Sequence, residues 1–461
     1  MLRQLALATI LTLLTVGPST ANEQLDASWQ QFIQGLQQAQ QSLSDPEYLL
    51  AEPSGRNLAE GYRYMLGHLN RFIESEIRLD TNYPEFFRSV DMLRKWTGEN
   101  PDAMYLKAPI DASGYYRIFG TISSTGSAPN MVTFQTVTDN PGSTGELAEM
   151  ALCKNQTLDF LNSFDLKLNQ DSAFEILIGP ERPADHRGLF LSSRKTMLCP
   201  ATGQKTLRDA TALAVREIFS DWAREVPLEM EIVRVDSIGK SRPPISAEFM
   251  SAKLEKIATE LPNQVRFWQL LQNNVLEVNN DFNGDGRRNL PYNGINSPAP
   301  PFTAGGVAGA EQLYAAGVFE LSDKQALIVK VTAPVEPRYM GFQLNNLWFE
   351  GPDQQNYVSS LSGHQLALAS DDSRYFIVSH RDPGVQGWVA TTGLSKGVHA
   401  MRFLFEAKPV KENMPSAEAV LVKFNEIGKH IPADTPKVSP EQRQQQIAIR
   451  QSHIKRRWRA H

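Results

Sequence analysis

The spacing of apolar positions changes period several times along the chain, and each change marks a boundary. In "LDASWQQFIQGLQQAQQSL", Trp29, Phe32, Ile33, Leu36 and Leu43 recur at helical spacing. A second helix is predicted from near Asn57, a capping-type residue with Glu60 three positions on. It carries Leu58, Tyr62, Met65, Leu66, Leu69, Phe72 and Ile73 on one face. Residues 22–110 thus read as a helical segment, ending in "GENPDAMYLKAPID" as an extended approach to a sheet. From Tyr115 the period falls to two. "YYRIFGTISS", "MVTFQTVT" and "FEILIGPE" are short β-branched and aromatic runs between turn residues, so 111–236 is predicted as a first β-rich domain. Inside it, "TLRDATALAVREIFSDWARE" predicts one helix over 206–225, closed by Pro227, before "LEMEIVRVD" resumes as a strand. Helical spacing returns over 237–292, interrupted at Pro262, and the Pro-, Gly- and Ala-rich stretch at 293–317 reads as a linker.

The second β block, 318–412, holds "ALIVKVTAP", "YMGFQLNNLWF", "YFIVSH" and "GVHAMRFLFEA" at hairpin-length spacing. The tail, 413–461, predicts a basic helix with Ile447, Ile454 and Trp458 on one stripe. The fold class expected is α+β: two β-rich, mostly antiparallel, sandwich-like domains with accessory helical segments. No solenoid-type repeat is visible.

The opening residues alter the picture. "MLRQLALATILTLLTVGPSTANEQ" has one basic residue, an apolar stretch from Leu5 to Val16, and Ser19-Thr20-Ala21 as a small-x-small cleavage site, so residues 1–21 read as a secretory signal peptide. The apolar run of about a dozen residues is too short to span a bilayer, and no later run reaches the roughly 18 that a transmembrane helix needs. The expected location is the periplasm or outside the cell. There Cys153 and Cys199, the only two cysteines, are predicted to close a disulfide.

Charge is unevenly spread. Without the signal the chain has 45 basic and 51 acidic residues, net -6; the tail from Lys437 carries seven basic residues against Glu441 alone, net +6, which leaves the body at about -12. That balance argues against nucleic acid as a partner and allows the tail to dock on its own body or on an anionic partner.

Several short motifs could carry chemistry. Gly393-Leu394-Ser395-Lys396-Gly397 matches the nucleophile-elbow pattern, but a loop enters and a strand leaves, so a hairpin turn is expected. His380 and Asp382, in "SHRDPG", are the best acid/base pair, although Asp-Pro-Gly is also ordinary turn chemistry. "DFNGDGRRN" supplies Asp281, Asn283 and Asp285 at alternating positions, with Asn289 as a further oxygen ligand. This suits a calcium loop that lacks the closing Glu. His68 reads as a packing residue and His186 as a loop residue. Arg216, Glu217, Asp221, Trp222 and Glu225 are expected on one helix as ion pairs around a buried Trp.

At "YMGFQLNNLWFE" (339–350) and "HRDPGVQGWVATTGLSKGVHAMRF" (380–403) the chain resembles the bacterial domain of unknown function 1214 family, whose signature pairs G-F-Q-L and a Trp-Phe-Glu-like close with a later D-P-G. The strong match covers about 320–410, with weaker echoes in "NPDAMYLKAPIDASGYYRIFG" and "REIFSDWAREVPLEMEIVRVD". The resemblance implies β-rich domains with accessory helices, and some relatives are linked to lipid head groups or to hydrolysis. The family's Asn-Trp-Leu-Asp-Thr run stands here as Gly387-Trp388-Val389-Ala390-Thr391, and its Gly-His as Gly393-Leu394. An acid and an imidazole are therefore missing. The leading expectation is a protein that binds an apolar or amphipathic small molecule between its β domains, lined by Tyr339, Phe342, Trp348, Arg381 and Trp388. A hydrolase of a lipid-like ester and an envelope interaction module without ligand are the alternatives.

Overall fold

The computed structural model describes residues 18–46, 54–139, 141–150, 153–163, 166, 173–277, 289–300 and 310–460. Helices α1 (Pro18–Ser42) and α2 (Gly55–Phe72) open it. Ser54 rather than Asn57 caps α2: its Oγ accepts from the Asn57 N–H at 3.1 Å, satisfying a donor that the first turn leaves unpaired.

Strands β1 (Phe87–Val90), β2 (Ala103–Pro109), β3 (Tyr116–Thr121), β4 (Met131–Val137), β5 (Thr157–Asn162), β6 (Ala173–Gly179), β7 (Leu189–Ser192), β8 (Arg194–Leu198), β9 (Lys205–Asp209), β10 (Ala212–Ile218) and β11 (Glu229–Arg234) follow. They form a five-stranded sheet in the order β1-β2-β10-β4-β5, a four-stranded sheet β11-β3-β6-β7, and a separate ribbon β8-β9. Alternation places Met104, Leu106 and Ala108 of β2, Ile118 of β3 and Ile176 of β6 in one shared core.

After helix α3 (Ala247–Glu277) come β12 (Glu311–Glu320), β13 (Gln325–Thr332), β14 (Tyr339–Asn345), β15 (Ser360–Ser362), β16 (Ser373–Ser379), β17 (Trp388–Ala390), β18 (Lys396–Phe405) and β19 (Ser416–Lys423). Helix α4 (Pro440–Ala460) closes the fold. The second pair of sheets runs β12-β18-β14-β15 and β17-β16-β13-β19 around a core with Phe319, Val329, Phe342, Phe376 and Met401. This is the expected α+β class, with two β-rich sandwiches and helical accessories.

The two sandwiches repeat one another strand for strand. In chain order β2, β3, β4, β5, β6, β7, β10 and β11 occupy the sheet positions of β12 to β19. Each half has one parallel pair, β6 with β7 and β16 with β17. The closing hydrogen bond recurs too: Ser193 N–H to Gly179 O at 2.8 Å in the first half, Thr391 N–H to Ser379 O at 3.4 Å in the second. The first half adds β1 and, between β7 and β10, the ribbon; the second has only the turn 391–395 at that place.

Three expectations are corrected. The helix predicted over 206–225 is instead strand β9, strand β10 and a turn. Ala, Leu, Arg and Glu favour a helix by only tenths of a kcal/mol per residue. Strand β10, by contrast, is paired along its whole length with β2 on one side and β4 on the other, and buries Leu213 and Val215. Arg216 and Glu217 therefore point to opposite faces of a strand, and Asp221, Trp222 and Glu225 lie beyond its end. Helix α3 is not interrupted at Pro262. The proline removes the N–H that would bond the Ala258 carbonyl, and Gly35 of α1 packs on that carbonyl so closely that a Cβ there would overlap its oxygen. The boundaries shift as well: β1 and β2 fall within the segment read as helical, β12 begins inside the expected linker, and β19 lies inside the expected tail.

Candidate binding site at the interdomain seam

The stretch 339–351 is where the second sandwich grips the helical layer and the chain before β2. Asn346 accepts on Oδ1 from the N–H groups of Trp348 (3.0 Å) and Glu350 (3.1 Å), which turns the chain sharply. Phe349 takes φ 59° and faces Gly98, also at φ 59°, whose N–H donates to Phe349 O at 2.7 Å. A side chain at 98 would run into the Phe349 ring. Trp348 donates from Nε1 to Asn57 O at 2.8 Å and packs against Tyr64 with ring centroids 5.6 Å apart. Behind it lies a buried ionic cluster. Arg63 donates to Glu350 Oε2 at 2.5 Å, and Lys95 donates to Gly351 O, Pro352 O and Gln354 Oε1 at 2.6, 2.8 and 2.6 Å. Burial lifts the Glu350 carboxyl to about 7, against the opposing pull of Arg63.

The stretch 380–391 receives the start of α4. Arg443, Arg450 and Arg457 stand seven residues apart on one stripe of that helix, all buried, interleaved with Ile447 and Ile454. Arg443 forks onto Asp382 and also donates to Val385 O at 3.1 Å, with its guanidinium 5.1 Å from the Trp388 ring centre. Arg450 donates to Gln354 O (2.8 Å), Ser360 O (3.0 Å) and Ser360 Oγ (2.7 Å), and Arg457 to Pro101 O (2.8 Å). Ile447 joins the core of the second sandwich and Ile454 that of the first. The basic tail therefore docks on its own body and ties the two halves together.

Where the halves meet beneath α4, Tyr339 donates from Oη to Asp102 Oδ2 at 2.6 Å, with Asn100 Oδ1 at 2.9 Å. Burial raises the Asp102 carboxyl, while Tyr339, Arg457 and Arg450 pull it back. Glu217 accepts from the Leu228 N–H at 3.0 Å, its one hydrogen bond among the described residues, and burial pushes its carboxyl up to about 8. Burial also draws the Arg457 guanidinium down to about 9, which leaves it charged at neutral pH. A chamber of about 40 Å³ opens here, lined among others by Glu99, Asn100, Tyr105, Gln354, Ile454 and Arg457. Of its lining residues, Glu99 Oε2 and Arg457 Nε and Nη2 find no hydrogen-bond partner among the described residues; Glu217 Oε1, outside the lining, finds none either. The chamber has room for water-sized groups, and these polar atoms call for partners.

The five predicted lining residues are distributed rather than gathered. Tyr339 is at the seam, Phe342 stacks on Phe376 in the second core (centroids 4.6 Å apart), and Trp348 is in the helical layer. Arg381 lies over Phe424, 4.2 Å from its ring centre, and Trp388 is half-buried under Arg443, its Nε1 donating to Ser379 O at 3.2 Å. His380 and Asp382 each have other work. The His380 ring nitrogens meet Leu321 O at 3.1 Å and Thr391 Oγ1 at 2.7 Å, while Asp382 holds Arg443 and the Gly384 N–H. The Gly393–Gly397 pattern is a turn, with Gly393 at φ 84°, but it joins β17 to β18 in opposite sheets and so is not a hairpin.

His68 packs edge-on to Tyr64 with centroids 4.6 Å apart, and His186 meets Leu189 O at 3.0 Å in its loop. Cys153 and Cys199 are bonded. Of the calcium-loop residues, Asp281, Asn283 and Asp285 lie outside the described residues, and only Asn289 is within them; among the described residues no cluster of His, Cys, Asp or Glu suits a metal. Nor, among them, is any helix long and apolar enough to cross a membrane. The seam residues Asp102, Glu99, Arg450 and Arg457 were not singled out from sequence. The signal for two of them was the seven-residue recurrence of Arg and Ile in the tail.

The fold is similar to that of an uncharacterized protein from Burkholderia cenocepacia, at TM-score 0.69 and 21% identity, over 88% of this chain and 99% of that one. A Vibrio parahaemolyticus protein is 12% identical over 78% of this chain and 98% of its own, with TM-score 0.39. No family model and no curated protein matches the chain.

Proposed function

We propose that this is an exported binding protein that holds the polar end of an amphipathic small molecule at the seam between its β domains, beneath α4. The observation that carries the reading is the set of buried polar atoms without partners among the described residues on two residues that line the chamber, Glu99 Oε2 and Arg457 Nε and Nη2. Buried polar atoms are nearly always paired, and exceptions point to water, an ion or a ligand group. The chamber combines apolar lining from Val90, Met92, Met104 and Ile454 with the polar ends of Glu99, Asn100, Gln354 and Arg457, which suits the junction of a head group and an apolar chain. The disulfide supports an oxidising compartment, and the resemblance to relatives linked to lipid head groups points the same way. Native mass spectrometry of the mature protein, with solvent extraction of what co-purifies, tests this. A stoichiometric amphipathic molecule, lost in the Arg457→Ala variant, is expected; an empty protein that is folded with its disulfide closed would sink the proposal.

A further inference from the structure

Arg457 presents an unused edge. Its Nη1 donates to Pro101 O at 2.8 Å and to Ala103 O at 3.3 Å, and its guanidinium lies over the rings of Phe219 and Trp222, 4.6 and 4.7 Å from their centres. The rings fix the plane of the group, and the carbonyls fix its rotation within that plane. The remaining edge, Nε with Nη2, has no hydrogen-bond partner among the described residues, although the residue is only 6% exposed. Two such N–H groups side by side are the fork that takes both oxygens of a carboxylate or a phosphate.

Charge at the seam asks for one such anion. Arg450 and Arg457 are hydrogen-bonded only to neutral oxygens, and Asp102 and Glu217 act on Arg457 through space alone. Glu99 is matched by Lys95, 4.0 Å away. Asp102 balances one of the two arginines, and Glu217, raised to about 8 by burial, is largely protonated at neutral pH. One buried positive charge is left over, and buried charges are otherwise paired.

The chamber sets the rest of the ligand. At about 40 Å³ it admits a carboxylate and its first carbons, and it is too small for a sugar or a phosphocholine. Its apolar walls are Val90, Met92, Met104 and Ile454, and it reaches the surface at Trp458, which is 49% exposed and has the Arg88 guanidinium 3.9 Å from its ring centre. A phosphate monoester carries close to two charges at neutral pH, and the carboxyls of Glu99 and Asp102 at the same seam oppose the second.

We infer that the seam ligand is a monocarboxylate on a single apolar chain, its carboxylate seated on the Nε–Nη2 edge of Arg457 and its chain leaving past Trp458. The inference rests on the binding reading above and names the chemistry of the group that is held.

The test is isothermal titration of the full mature protein, freed of co-purifying molecules on a lipophilic resin, with decanoate, decan-1-ol, decyl phosphate and decyltrimethylammonium, each below its micelle concentration. Decanoate is expected to bind one to one, about ten- to a hundredfold more tightly than decan-1-ol, which has no charged pair of oxygens to offer. It should also outbind decyl phosphate, and the ammonium should bind least. Arg457→Lys keeps the charge but loses the fork; in a protein folded by circular dichroism it should remove most of decanoate's advantage and leave decan-1-ol unchanged. Decan-1-ol or the ammonium binding as well as decanoate, or decyl phosphate binding better, would overturn the carboxylate and leave the seam reading standing. So would Arg457→Lys with decanoate's advantage undiminished. No binding by any of the four would overturn the seam reading itself, and the carboxylate with it. Should the variant not fold, the wild-type series decides alone.

Discussion

Arg443 reaches across 61 residues of sequence to fork onto Asp382, Nε to Oδ2 at 2.9 Å and Nη2 to Oδ1 at 3.1 Å. This pair gives the Asp382-Pro383-Gly384 turn a physical role. The turn exposes one carboxylate at the right angle to seat the first turns of α4, and Val438 N–H to Gly384 O at 2.9 Å continues the attachment along the chain. The two groups are poorly solvated on the arginine side, 8% exposed, and half-open on the aspartate side, 32%. Such a bidentate pair contributes about 1–3 kcal/mol. Asp382→Ala should therefore lower stability to denaturant by about that amount, and Asp382→Ala combined with Arg443→Ala should cost less than the sum of the two singles. Amide exchange in α4 should speed up first at its N-terminal turns. Unchanged exchange there would mean that the helix is held only by its later arginines.

Arg450 is the deeper anchor, fully buried, with the three acceptors from Gln354 and Ser360 satisfied by one guanidinium. Arg450→Ala strands those acceptors and opens a cavity between the sandwiches. A loss of about 3–5 kcal/mol is expected, measured by urea unfolding. Arg450→Lys should recover only part of it, because an ammonium cannot reproduce the planar fork.

Much of this architecture is visible in the chain. The β-branched and aromatic runs between turn residues name β3, β4, β6, β11, β13, β14, β16 and β18, some alternating, as β3 and β6, and some buried on both faces, as β4 and β14. The disulfide was the expectation for a chain with two cysteines, Cys153 and Cys199, and the two are bonded. Strand β10 was misread because its residues are good helix formers and the evidence against a helix, two neighbouring strands offering complete ladders, is non-local. The duplication is hidden for a related reason: the halves share strand order and pairing but not residue types. The seam was missed because its members are scattered. Tyr339 was singled out as lining, but Glu99, Asp102 and Glu217 are distant from it in sequence, and the fold brings them near one another.

The helical layer offers a purely steric check. Gly98 combines φ 59° with the Phe349 ring lying where its Cβ would be. Gly98→Ala meets both the left-handed penalty, about 1 kcal/mol, and a clash with a ring that is itself fixed at positive φ, so a total loss of about 2–4 kcal/mol is expected. Equilibrium unfolding measures it, and a near-neutral variant would show that the 97–98 and 349 turns can part at little cost.

Reduction of the Cys153–Cys199 bond, which closes a separation of 46 residues, should lower stability by roughly 2–4 kcal/mol. The loss should appear first as faster amide exchange in β8 and β9, since the ribbon has little core of its own. Cys153→Ala/Cys199→Ala separates this effect from the reductant.

The buried carboxyls at and near the seam give the protein an unusual pH slope. Glu217 is raised from the ordinary 4.5 to about 8 and Glu350 to about 7, both chiefly by burial. Between the unfolded value and the folded one the native state holds protons that the unfolded chain has released, so each group's stabilising contribution is full below about 4.5 and is lost as pH rises through about 7 to 8. This is the reverse of a carboxylate whose pKa is lowered on folding, whose contribution disappears on acidification. Unfolding by urea should thus show higher stability near pH 5.5 than near pH 8.5. Glu217→Gln keeps the acceptor for the Leu228 N–H but cannot ionise. It should flatten the slope, with little change at the acid end and a gain at the alkaline end. An identical slope in wild type and Glu217→Gln would show that Arg457 already compensates a charged Glu217 in the folded protein, and that the seam is ionic rather than protonated at neutral pH.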